Sequence, residues 1–114
     1  MPLPEFTRQL VDTKLNAFFD RRIPAHVRDK IKMSHSVRGN SVTLFEERPY
    51  FRDPSKWTKN PFAQIRYSPD KKTWTLYCAD RNSKWHLFDL LAPQADLDEV
   101  INEIDQDQTG IFFG

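Results

Sequence analysis

Two glutamates stand side by side in VTLFEERPYF, residues 42–51; a histidine follows a tryptophan in KWHLFDL, and one cysteine, Cys78, sits in TWTLYCA. Neighbouring carboxylates can share general-acid and general-base work only if they converge on one substrate, and a carboxylate with a histidine can move a proton or hold a metal only at contact distance. The local chain conformation decides both. If residues 42–47 are extended, successive side chains leave opposite faces, so Glu46 joins the row of Val42 and Leu44 while Glu47 joins Thr43 and Phe45. The pair diverges. It reads as a strand leaving the core, with each carboxylate meeting an arginine or solvent at the sheet margin.

The other reactive types give little more. Cys78 alternates with apolar residues, where a free thiol acts as a small apolar filler; a nucleophile needs exposure and a positive neighbourhood. Being alone, it excludes an internal disulfide and a cysteine zinc cluster, and it fits a reducing, cytoplasmic setting. His26 and His35 read as incidental. A metal at His86 would have to recruit Glu47 or Asp89, without any close-spaced ligand pair, and no glycine-rich phosphate loop, Gly-x-Ser-x-Gly or His-Glu-x-x-His is present. No catalytic residue, metal or cofactor is therefore assigned.

These residues need elements to position them. In EFTRQLVDTKLNAFFD, residues 5–20, Phe6, Leu10, Val11, Leu15, Phe18 and Phe19 recur at helical spacing, and Pro24 ends the helix. PAHVRDKI permits a short helical turn. From Ile31 the period becomes two, Gly39-Asn40 permits a tight hairpin, and SVTLFEER returns as far as Pro49. PYFRDPSKWTKNP, residues 49–61, reads as a long loop packed on its own aromatics. FAQIRYS, TWTLYCA and KWHLFDL complete a five-stranded antiparallel meander, separated by the turn formers PDKK and DRNS. In ADLDEVINEIDQD, Asp96 and Glu99 read as an N-terminal cap, and Leu97, Val100, Ile101 and Ile104 as an apolar stripe. Helix, five strands and helix make a single α+β domain over residues 1–114, with both helices packed on one sheet face.

Alternation then divides the sheet. Ile31, Met33, Val37, Val42, Leu44, Ala63, Ile65, Tyr67, Trp74, Leu76, Cys78, Trp85 and Leu87 form the expected core row. The opposite face collects Phe45, Glu47, Phe62, Gln64, Arg66, Thr75, Tyr77, His86 and Phe88. The candidate interaction surface on it comprises Phe45, Glu47, Arg66, Tyr77, His86 and Phe88, with Arg81 and Lys84 from the adjoining turn. The terminal TGIFFG either docks on the body, which recovers roughly 1.5 to 3 kcal/mol per large side chain, or projects as an apolar hook.

Seventeen Lys and Arg nearly cancel sixteen Asp and Glu, for a net charge of +1. A phosphate-bound protein usually shows a larger excess, so a protein partner or self-association is favoured over nucleic acid. No run approaches the eighteen apolar residues of a membrane span, and the start MPLPEFTRQL lacks the pattern of an export signal. VRDKIKMSHSVRGNSVTLFEERPYFRDPSKWT, KTWTLYCADRNSKWHLF and DQTGIFFG, in that order, resemble the bacterial domain-of-unknown-function family 3024, from about residue 23 to the C-terminus. The resemblance implies a bacterial, free-standing, single-domain protein and carries no ligand or catalytic residue with it. A binding module is the leading expectation. The alternatives are an acid-base or metal-assisted hydrolase using Glu47 and His86, with Arg66 holding an anion, and a homo-oligomeric structural protein.

Overall fold

The first helix, α1 (Glu5–Arg22), carries Glu5 in its first turn and Arg21 and Arg22 in its last, matching the helix dipole at both ends. Ile23 leaves the helix in an extended conformation, and Pro24 starts a 3-10 turn at Ala25–Val27. The computed structural model describes residues 3–113. Val11, Leu15, Phe18 and Phe19 are buried, whereas Phe6 and Leu10, expected in the same stripe, are exposed. At 3.6 residues per turn Phe6 lies half a turn round the helix from Leu15, so the two cannot share a buried side.

The sheet has the order β1 (Lys32–Arg38), β2 (Ser41–Tyr50), β3 (Asp53–Ser68), β4 (Thr73–Ala79) and β5 (Trp85–Leu87), with antiparallel neighbours throughout. Gly39 turns the first hairpin at φ +59°, a left-handed conformation that most side chains resist. Residues 49–61 are not a loop. β2 runs through Pro49, and β3 starts at Asp53, so they form a ribbon with a tight turn at its tip. Three prolines fit there for a positional reason. Beyond Glu47 the ribbon has lost β1, beyond Ala63 it has lost β4, and a missing amide hydrogen is tolerated on such edges and at bulges.

A bulge lies between Leu44/Ala63 and Phe45/Pro61. The extra residue is Phe62, which packs against the hydrophobic core and meets Phe113 at a 5.0 Å ring separation. The bulge thus moves Phe62 off the face to which uninterrupted alternation assigns it.

The second correction concerns β5. Tyr77 stands opposite Leu87, Cys78 opposite His86, and Ala79 opposite Trp85. Directly opposed residues share a face, so Trp85 and Leu87 lie with Tyr77 and not in the core row. Phe88 is buried against Phe112 at a ring separation of 5.3 Å.

Asp96 caps α2 (Leu97–Gln106) by accepting the amide of Asp98 at 2.9 Å, and Leu97, Val100, Ile101 and Ile104 are buried. These residues, the buried stripe of α1, and Val42, Leu44, Ala63, Ile65, Trp74, Leu76 and Cys78 form one hydrophobic cluster. The C-terminal segment docks onto it. Asp107, at φ +45°, accepts the amides of Phe112 and Phe113 at 2.9 Å, and the Arg22 guanidinium lies 3.7 Å from the Phe113 ring centroid.

Candidate binding face

The register fixes which side chains share the sheet face opposite the hydrophobic cluster. Lys32, Ser34, Ser36 and Arg38 of β1 stand opposite Glu47, Phe45, Thr43 and Ser41 of β2; on β3 the same rows continue with Lys59, Pro61, Gln64 and Arg66. Thr75 and Tyr77 extend them on β4, and Leu87 and Trp85 on β5. All of these but Glu47, Pro61, Gln64 and Leu87 carry a hydroxyl, an aromatic ring or a cation.

A hydrogen-bonded chain stiffens the centre. Gln64 Nε2 donates to Thr43 Oγ1 at 2.9 Å, Arg66 Nε donates to Gln64 Oε1 at 2.7 Å, and the Arg66 guanidinium carbon lies 3.9 Å above the Tyr77 ring. Gln64 is buried at 9% exposure although it belongs to the polar face, because its neighbours close over an amide whose donor and acceptor are both used. Two further rings carry cations, with Lys59 Nζ 4.4 Å from the Phe45 centroid and Lys32 Nζ 4.0 Å from that of Trp57. Trp85 carries none among the described residues. Arg38, Thr43, Phe45, Gln64, Arg66 and Trp85 are among the residues lining a recess of about 610 Å³ on this face. A smaller one, about 230 Å³, lies beside the end of α1 between Phe19, Ile23, Arg28 and Met33.

Charge is divided between the two sides. α2 and its cap supply Asp96, Asp98, Glu99, Glu103 and Asp105, of which Asp98 pairs with Lys14 at 2.8 Å and Asp105 with Arg22 at 2.9 Å. The polar sheet face carries Lys32, Arg38, Lys59 and Arg66 against Glu47, and none of these four cations is within 4.0 Å of a carboxylate among the described residues. The near-zero total therefore conceals a basic face. A ligand senses charge within about a Debye length of its site, so a local patch can present a sign that the net charge does not show.

Of the expected surface, Phe45, Glu47, Arg66 and Tyr77 come together. Phe88 is buried, and His86 shares the side of Cys78. His86 Nε2 lies 2.7 Å from Asp80 Oδ2, while Asp80 Oδ1 accepts the amides of Asn82 and Lys84 at 2.8 and 3.0 Å. The hydrogen bond from His86, followed by that from the Lys84 amide, holds the Asp80 carboxyl below the usual carboxylate range. Arg81 and Lys84 are exposed in this turn. Glu47 and His86 sit on strands three spacings apart, about 14 Å, and on opposite faces, so they form no acid-base pair. Glu46 instead pairs with Arg48. The Cys78 thiol is buried, donates toward the His86 carbonyl at 3.6 Å, and is pushed up in pKa chiefly by that burial, which opposes nucleophilic use.

The reading of the sequence omitted Arg38, Lys59 and Trp85. Arg38 was accessible to it, since alternation from Lys32 places it on the polar face. Trp85 was not, because apolar residues at 85, 87 and 88 fit either facing of so short a strand.

Among the described residues no helix is long and apolar enough to cross a membrane, and no group of three or more His, Cys, Asp or Glu is placed to hold a metal ion. No curated protein and no solved structure matches the chain. The profile of the family described as "Domain of unknown function (DUF3024)" matches residues 3–114, and with almost the whole sequence inside that match the chain belongs to this family.

Proposed function

We propose that the protein is a binding module whose polar sheet face receives an anionic partner. The observation that carries this reading is the set Arg38, Lys59 and Arg66, with no carboxylate within 4.0 Å among the described residues, on one face with a recess of about 610 Å³. Cations kept only for solubility are commonly scattered among acids, whereas the rows of this face set Lys32, Arg38, Lys59 and Arg66 against Glu47, and Arg38 and Arg66 line the recess. Arg66 is held by Gln64 and Tyr77 before any ligand arrives, which lowers the ordering cost of binding. Hydrolysis by Glu47 and His86 lacks a common site. Pairing of copies through a projecting C-terminal hook lacks the hook, because Phe112 is buried and Phe113 packs against the core.

The test is an amide chemical-shift titration with a short heparin oligosaccharide as a generic polyanion. Shifts should cluster at residues 36–45, 59–66 and 75–85, and Arg38→Ala with Lys59→Ala should weaken binding at least tenfold together. Shifts confined to the turn at Arg81 and Lys84, or no binding at low salt, would refute the assignment.

A further inference from the structure

The basic face is also an aromatic one, and resting on the reading above, we infer that its anion is single-stranded nucleic acid. Three features select this class over other polyanions. First, the cations do not stand alone: the Arg66 guanidinium lies 3.9 Å above the Tyr77 ring and Lys59 Nζ 4.4 Å from the Phe45 centroid. At 3.9 Å the guanidinium lies over the ring, and with Nε donating to Gln64 its terminal nitrogens are the donors that can face a phosphate. Second, Trp85 is half-buried, lines the recess and has no cation over its ring among the described residues, which leaves an indole for stacking. Third, the rings and cations come from different strands of one antiparallel sheet. Arg66 on β3, Tyr77 on β4 and Trp85 on β5 step diagonally across the sheet, so an extended strand laid along that diagonal meets them in succession, while Phe45 on β2 flanks it at the level of Trp85.

An acidic peptide such as polyglutamate would use the cations but brings no aromatic ring to stack on the indole. A duplex hides its base faces, leaving Trp85 unused. Single-stranded nucleic acid uses both sets at once, which is how sequence-tolerant sites on sheets operate.

The experiment is fluorescence anisotropy with a short labelled oligothymidylate strand and the full chain, in parallel with heparin, polyglutamate and a duplex. Three phosphate contacts, from Arg38, Lys59 and Arg66, predict a log-log salt slope of about −2, or roughly twentyfold weaker binding from about 50 to 200 mM salt. Trp85→Ala should weaken the oligothymidylate by about 5- to 150-fold, the range for loss of one stacked base, and leave heparin within twofold. Trp85→Phe should restore most of that loss, separating stacking from a structural role, and circular dichroism of each variant should match the parent. Oligothymidylate binding that is indifferent to Trp85→Ala, or weaker than binding of heparin, polyglutamate or the duplex, overturns the nucleic-acid inference while the anion-binding face stands. Failure of every polyanion to bind overturns both.

Discussion

The facing of β5 determines what the open side of this sheet presents, and it can be tested without any ligand. Phe88 is 6% exposed and packed on Phe112, whereas Leu87, one residue earlier, is 55% exposed. Truncating a buried phenylalanine removes its transfer free energy and leaves a cavity, together about 3 to 5 kcal/mol, while truncation at a surface position stays within about 0.5 kcal/mol. Phe88→Ala should therefore lower the thermal midpoint by about 10 to 20 °C for a chain of this size, and Leu87→Ala by about 2 °C or less. Urea denaturation followed by far-ultraviolet circular dichroism gives the comparison directly, provided the slope with denaturant is unchanged. Total stability of such domains is about 5 to 15 kcal/mol, so Phe88→Leu, with a smaller cavity, serves as a gentler variant with the same ordering if Phe88→Ala is too unstable to handle. A Leu87→Ala variant that loses as much stability as Phe88→Ala would place Leu87 in the core. Trp85 would follow it there, and the binding face described above would lose its exposed indole.

Asp107 holds the C-terminal segment through the amides of Phe112 and Phe113, so Asp107→Ala should cost about 1 to 3 kcal/mol, while Asp107→Asn, which keeps one acceptor, should cost less; equal losses in urea denaturation would show that the carboxylate does not clamp the segment. For Asp80 the folded-state pKa is depressed, so its contribution is present above the usual carboxylate range and fades as the pH falls through the lower, folded value. Asp80→Ala should accordingly lose less stability than the parent between about pH 5 and pH 2, as read from thermal midpoints across that range, and parallel curves would contradict the assignment.

Much of this architecture was legible because short-range periodicity carries it. Alternation in Val42–Leu44, Ala63–Ile65 and Trp74–Cys78 identifies one buried row, and Leu97, Val100, Ile101 and Ile104 fall on one side of a helix by spacing alone. The same rule placed Phe45, Glu47, Arg66 and Tyr77 together and separated Glu46 from Glu47. It failed where strands do not run uninterrupted. The bulge at Phe62 inserts one residue and reverses a facing, and residues 49–61 look like a loop because their prolines are unfavourable in a fully paired strand.

The sequence by itself settled the order of helix, five strands and helix and most of the residues that must be hidden, since these follow from local backbone geometry and the transfer of apolar side chains out of water. Tertiary structure alone decided which side Trp85 and Phe88 take and that Arg38, Lys59 and Arg66 share the sheet face turned away from the acidic helix α2. The physical reason is that facing in a three-residue strand, and the neighbourhood of a charge, depend on pairing between residues distant in the chain. No local pattern encodes that pairing.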